Sequence, residues 1–397
     1  MKIYYDPTAK KWLQNEVQHV LLWGKNKCEI GYSGSISNNS LPFPISFDGI
    51  SLGPIIGILA GESNKKELIG NSSTFRLLSL SLQQYGALCV VFTPSTIDKK
   101  GMDGFLYVSA IKKWIKVTSP LPNVVYNRIP SRLLEKKSLY SNTFSFLDNN
   151  SIPYFNRSFF SKWETFKMLI KNPSLYDHIP KTELHTSFSN LQSMLQTYNE
   201  IYLKPSEGHK GKGIYKIILE APTNITLLHT KESFTYDNLD RLWDKIKKQI
   251  ESTPYIIQEA VKSDTFNGKR YDLRILAHYQ EKDYHISGIG VRMSGNQEVT
   301  THVPNGGRII PFKKLADRVD KAKIASIVNS IGKQLETETG SFIGEFSVDI
   351  GKSAIDGNYY IYEVNSKPMV FDEPDIKNKG LENLSKLLIM RAKPHNH

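Results

Sequence analysis

Hydrophobic and polar positions divide the chain into stretches of different rhythm. Over the first 50 residues the apolar runs are short and mixed, and the loop-like stretch around Gly31 to Pro44, containing GSISNNSLPFP, marks a boundary. From Gly53 the text reads as α/β. PIIGILAG is a buried-strand run with a glycine exit, TFRLLSLSLQQYG sets Phe75, Leu78, Leu82 and Tyr85 at helical spacings before Gly86, and ALCVVF is a second apolar run. Strand, helix and strand in that order predict a small parallel-sheet unit that continues through GFLYVSA and VVYNRI to about residue 150.

After residue 150 period-two alternation dominates. IYLKPSEGHKGKGIYKI predicts a strand ending at Lys204, a glycine-rich turn over Ser206 to Gly213, and a return strand over Ile214 to Ile218. TPYIIQEAV is an apolar strand running into Gln258, Glu259 and Ala260, and GKRYDLRILAHY is another with Asp272 and Arg274 on one face. EFSVDI places Glu345, Ser347 and Asp349 on one side, DG at 356–357 signals a turn, and YYIYEVN returns with Glu363 and Asn365 on a common face. Two helices complete the pattern. Leu239, Leu242, Trp243, Ile246 and Ile250 form an apolar stripe with Trp243 as core filling, and Leu381, Leu384, Leu387 and Leu388 predict a C-terminal helix that packs back onto the protein.

A chain of 397 residues has room for two or three domains with their own cores. Its only cysteines, Cys28 and Cys89, cannot build a disulfide scaffold, although one bridge between them is compatible with the sequence. The N-terminus lacks the apolar core of a signal peptide and no stretch is long enough to span a membrane, so a soluble, cytoplasmic protein without a membrane partner is expected. The formal charge of +12 draws phosphate-bearing partners, but the basic residues are scattered and no basic tail appears, which argues against a dedicated nucleic-acid function. A nucleotide, an acidic peptide or an anionic polymer fits the same charge.

The candidate chemistry follows from the alternating strands. A strand, a flexible glycine loop and a strand make a lid whose backbone N–H groups close over phosphates, whereas a Walker A loop is excluded because Ile214 stands where Ser or Thr is required. Carboxylates facing each other across a sheet repel unless a cation compensates them; Asp349, Glu363 and Asn365 suit Mg²⁺, which takes one or two carboxylates together with nucleotide phosphates. Arg274 offers a planar fork to phosphate. Arg128, after the apolar run Val124 to Tyr126, reads equally as a ligand residue or a surface ion pair. His278, His285 and His302 lack metal-ligand spacing, and VPNGGRIIP is either a ligand loop or a turn.

The ordered set LGPIIGILAG, PLPNVVYNRIPSR, FFSKWETFKML, YLKPSEGHKGKGIYKI, YIIQEAV, YDLRILAHY and EFSVDI with YYIYEVNSKP resembles the ATP-grasp superfamily, and within it the YheC/YheD-like, endospore coat-associated group. The resemblance implies an N-terminal small parallel-sheet, pre-ATP-grasp-like α/β region over residues 51–150, behind an N-terminal extension or small β-rich region over 1–50. A two-lobed α+β ATP-grasp domain over 151–397 then follows, its glycine-loop lobe at about 182–262. It implies ATP and Mg²⁺ as cofactors. Lys162 and Lys204 are then the nucleotide lysines. The glycine loop contributes Ser206, Gly208, Gly211, Lys212 and Gly213, and Gln258, Glu259, Ala260 and Val261 form the adenine-ribose hinge. Asp264 is the nearest sugar-binding acid, Asp349, Glu363 and Asn365 hold metal, and Lys204 and Arg274 act on the transferring phosphate; Lys367 helps to set substrate choice.

The implied reaction is ligation, in which a carboxylate is activated as an acylphosphate and taken by an amine-type nucleophile. A kinase and a nucleotide-binding spore coat scaffold without turnover are the alternatives, and forespore or spore coat association follows from the narrower resemblance alone. The acceptor, be it a small molecule, a peptide or an anionic polymer, is not named by the sequence, nor is the oligomeric state.

Overall fold

A computed structural model describes residues 1–208, 211–229, 232–295, 299–301, 303, 306–368 and 371–393. His302 and parts of the glycine loop and of VPNGGRIIP lie outside them. Two compact units are present, one comprising Met1–Phe159 with the C-terminal segment from Lys377, the other Phe160–Ile376. The C-terminal helix thus counts mostly with the first unit, where Ser81 and Ser385 share a hydrogen bond of 2.8 Å.

In the first unit the sheet order is Ile97–Asp98, Gly101–Val108, Leu88–Phe92, Ile55–Leu59, Val124–Asn127, Tyr154–Phe155. The last four are parallel, as the strand-helix-strand pattern requires, and their near-continuous burial explains why they read as apolar runs. GFLYVSA differs from expectation. It begins an antiparallel hairpin, Gly101–Val108 with Lys113–Ser119, that extends the sheet at one edge. The helix Ser72–Gln84 starts at Asn71, whose side chain accepts from Thr74 N, and buries Phe75, Leu78 and Leu82 on the sheet.

Residues 1–50 carry β-structure of their own. The strands Lys11–Leu13, Lys2–Asp6 and Leu41–Pro44 make a small antiparallel sheet, and Trp12, Trp23, Tyr5 and Phe43 join the apolar core of the unit. Trp23 donates its indole N–H to Gly53 O at 2.9 Å, so the polar edge of the ring is satisfied inside the core. Cys28 and Cys89 are both free, which removes the bridge that the sequence left open, and burial pushes the Cys89 thiol up to about 12. Arg128 lies over the Tyr126 ring at 5.5 Å. Among the described residues no helix is long and apolar enough to cross a membrane.

The second unit carries two antiparallel sheets. One, the lysine sheet, has the order Thr182–Leu184, Tyr255–Glu259, Glu200–Pro205, Tyr215–Ala221, Asn224–Leu228, Ser233–Tyr236. Helices Phe188–Tyr198 and Leu239–Ile250 cover one of its faces. Leu242, Ile246 and Ile250 are buried there, while Trp243 stays at the margin beside His185 and Phe188. The other, the carboxylate sheet, runs Arg308–Ile310, Asp283–Met293, Lys269–Gln280, Glu345–Lys352, Tyr359–Asn365. Its apolar face packs on the helix Lys321–Thr339, capped by Asp320 at the start and by Gly340 in the left-handed region at the end. Because strand side chains alternate, burying Leu273, Ile275, Phe346, Val348 and Val364 on that side forces Asp272, Arg274, Ser347, Asp349, Glu363 and Asn365 onto the other.

Candidate functional site

Register is what assembles the site. Arg274 pairs with Asp349 and Asp349 with Glu363, so one cation and two carboxylates stand side by side across three strands. In the next row Ser347 pairs with Asn365. Arg274 Nε lies 3.9 Å from Asp349 Oδ1, an ion pair with little exposure on either side. The pairing comes with a bulge between Asp349 and Ile350.

The lysines approach from two other elements. Ser161 caps the helix Lys162–Leu169, which puts Lys162 in its first turn. The Lys162 backbone N–H donates to Ser206 O at 2.8 Å, and its Nζ donates to Gly208 O at 3.0 Å and to Glu363 Oε1 at 3.1 Å. Lys204 is half-buried near the end of its strand, with Nζ 2.6 Å from Gln258 Oε1 and above the Tyr202 and Tyr362 rings. Gln258 in turn donates to Thr182 Oγ1 at 2.9 Å, so the amide that orients Lys204 is itself held.

These charges oppose their neighbours. Burial, then the adjacent Lys162 ammonium, push Lys204 down to about 8. Burial, opposed by Arg274 and reinforced by Glu363, leaves the Asp349 carboxyl raised to about 6. Burial also pushes Glu363 upward, yet Lys162, Arg274 and Lys204 together outweigh that and hold it below its usual range. Two lysines crowded together and two carboxylates crowded together are relieved at once by a polyanion with its cation, which is what Mg-ATP brings. Ser347 Oγ, fully buried and without a hydrogen-bond partner, is a further polar atom on this face. Two carboxylates and one carboxamide, Asp349, Glu363 and Asn365, are oxygen donors of the kind that suits Mg²⁺ shared with phosphate oxygens.

One prediction arises directly. In metal-free protein the folded Asp349 takes up its proton near pH 6 whereas the unfolded group does so near 3.8, so its ionisation costs stability progressively as pH rises between these values. Asp349→Asn removes that cost. By differential scanning calorimetry the Asn variant gains on the parent as pH rises from 4 to 6, by on the order of 1–3 kcal/mol less whatever the lost Arg274 partner takes away. A constant difference across this window would show that Asp349 bears no such strain.

The remaining expected residues are placed less uniformly. Ser206 and Gly208 are beside Lys162. Gly211 and Gly213 adopt positive φ, and together with Lys212 they line a cavity of ≈ 400 Å³ with Tyr215, Phe234 and Gln249, on the helix-covered side of the lysine sheet rather than beside Lys204. At the hinge the Glu259 and Ala260 N–H groups are spent on Lys181 O and Glu200 O, and Glu259 Oε1 accepts from Lys181 N at 3.0 Å. Val261 lies beyond that pairing, with its carbonyl facing Ser263 Oγ at 3.5 Å. Asp264 accepts from Tyr271 Oη at 2.8 Å and from Thr265 N at 2.7 Å. Lys367 is buried just after the Asn365 strand.

Two arginines went unread in the sequence. Arg270 is half-buried, donates to Tyr202 Oη at 2.6 Å and acts on the charge of Lys204. Arg292, opposite Asp272, helps to hold down the Asp349 carboxyl. Period-two alternation could have found both, since Arg270, Asp272 and Arg274 share a face, as do Gly288, Gly290 and Arg292.

A two-lobed unit of antiparallel sheets, with a lysine strand and glycine turn in one lobe and an Arg-Asp-Glu row in the other, defines an ATP-grasp protein. The pattern of the YheC/D like ATP-grasp family matches residues 151–393, and the chain belongs to that family. Endospore coat-associated protein YheD of Bacillus subtilis (strain 168) is 29% identical over 346 residues, covering 82% of this chain and 76% of that protein. Among solved structures, D-cycloserine synthetase DcsG superposes with a TM-score of 0.50 at 13% identity, over 85% of this chain and 100% of that one, a likeness of fold alone. D-alanyl-alanine synthetase A from Vibrio cholerae aligns at a TM-score of 0.48 and 15% identity, over 86% and 97%.

Proposed function

We propose that this protein is a Mg-ATP-dependent ligase that activates a carboxylate for attack by an amine-type nucleophile. The observation that carries the reading is the paired crowding of like charges: Lys162 against Lys204, and Asp349 against Glu363 in direct register. Membership of the ATP-grasp family supports nucleotide as the polyanion. Asp349, Glu363 and Asn365 would hold Mg²⁺, with Lys162 and Lys204 on the phosphates and the hinge after Gln258 against adenine. When bound, Mg-ATP supplies an electrophilic γ-phosphoryl group that converts the acceptor carboxylate to an acylphosphate.

The chain's own part is electrostatic. Lys162, now held by Glu363 at 3.1 Å, would be the cation for phosphate, and Glu363 would be a carboxylate for the metal. Lys204, oriented by Gln258, supplies a desolvated cation whose interactions are stronger than in water. Arg274 and Arg292 extend the positive field along the strand faces toward the acceptor, placing planar donors where charge develops on the transferring group.

Mass spectrometry of products after incubation with Mg-ATP, amino acids, dipeptides and acidic peptides tests this. Condensation of two substrates with loss of water and release of phosphate is expected; an acceptor that merely gains phosphate would make the protein a kinase. We further propose that it works at the spore coat, as the name of its B. subtilis relative suggests. An antibody against the chain should then detect it in purified spores of its source, and detection confined to vegetative cells would remove the spore role.

A further inference from the structure

Between the strand ending at Asn365 and the helix Pro374–Ala392, the described residues Phe371 and Glu373 lie against Arg274 and Arg292 on the charged face of the carboxylate sheet. Phe371 and Ile376 pack on Leu276, and the Arg274 guanidinium lies 6.0 Å from the Phe371 ring centre. Two glycines on the neighbouring strand Asp283–Met293 make room for this segment. A methyl group at Gly288 would stand 2.6 Å from Ile376 Cγ2, and one at Gly290 would stand 2.6 Å from Glu373 Oε1. The trough ends at Arg292, whose fork is closed by Glu373: Nη1 binds Oε1, and Nη2 lies 3.2 Å from Oε2.

This pairing is unusual for where it sits. Arg292 occupies the row beside Arg274 and Asp349, its side chain is 10% exposed, and the carboxylate that fills its fork comes from the segment directly after the metal strand. A guanidinium fork binds one carboxylate in this bidentate way at a time. We propose that Glu373 is a latch, an internal carboxylate that keeps the Arg292 fork closed until the carboxylate of the acceptor substrate displaces it and lifts the 371–376 segment from its glycine trough. This rests on the ligase reading, and it narrows the acceptor to a molecule whose anionic group competes with a glutamate side chain.

A pair held mainly by one bidentate contact is within reach of competition, because a second anion that also meets Arg274 gains an interaction the latch lacks. Removing the latch charge should therefore expose an anion site. Inorganic phosphate titrated calorimetrically into the full chain, without nucleotide, should bind about tenfold more tightly to Glu373→Gln than to the parent. Adding Arg292→Gln to that variant should return the affinity to the parent level or below. Equal phosphate affinity in the parent and Glu373→Gln, or a gain that survives loss of Arg292, would overturn the latch. If circular dichroism shows Glu373→Gln to be unfolded, Glu373→Asp weakens the same pair by shortening its reach and is held to the same comparison, with a smaller gain. A parallel titration with Mg-ADP reports separately on the nucleotide reading, so loss of either conclusion is visible without the other.

Discussion

Glu363→Gln will give a folded protein whose ATP-dependent turnover at limiting Mg²⁺ falls on the order of a hundredfold, with partial recovery at high Mg²⁺. The substitution keeps volume and hydrogen-bonding reach and removes one of two carboxylates that stand in register. Its effects on stability partly cancel. Relief of repulsion with Asp349 favours the folded state, while Lys162 loses its partner at 3.1 Å. Turnover across a Mg²⁺ titration, with circular dichroism as the check on folding, separates the metal role from a structural one. Parent-like turnover at limiting Mg²⁺ would return the Glu363 strand to a purely architectural part.

Lys204→Met will cost nucleotide affinity rather than fold. A partly desolvated ammonium held near a second lysine, and already pushed down to about 8, is unfavourable until an anion arrives. Replacing it with an unbranched thioether keeps the stem contacts over the Tyr202 ring and removes that penalty, against which stands the lost bond to Gln258. The melting temperature of the free protein should therefore change little. Mg-ATP affinity, measured calorimetrically, should fall on the order of ten- to a hundredfold, the range for one charge-assisted hydrogen bond. Above pH 8 the parent Lys204 itself begins to lose its proton, so the gap in affinity between parent and variant should narrow there. A variant that binds Mg-ATP as tightly as the parent at pH 7 would show that Lys204 does not meet phosphate.

What reached the sequence as local rhythm was legible from it. The alternation in EFSVDI and YYIYEVN places Asp349, Glu363 and Asn365 on one face because strand geometry admits no other arrangement once Phe346, Val348 and Val364 are buried. The helix over Ser72–Gln84 was legible for the same reason, its apolar spacing being the imprint of a single buried face. By itself, then, the sequence determined the strand faces, the helix stripe, the lysine before a glycine turn and the family motifs.

Everything that depends on partners distant in the chain was decided by tertiary structure. Arg274 faces Asp349 across 75 positions by register, and a one-residue slip would have turned it away, so no local pattern contains that pairing. Lys162 meets Glu363 201 residues along the chain, and against the pull of burial that contact helps to hold the Glu363 carboxyl below its usual range, which local sequence does not encode. The glycine turn was readable as flexible, but the side of the sheet on which Lys212 comes to rest was not, since glycines permit both. Nor could the text show that Glu373 would lie in the fork of Arg292: the two glycines that admit it are merely small in the sequence, and become a trough only when a segment from much later in the chain is laid across them.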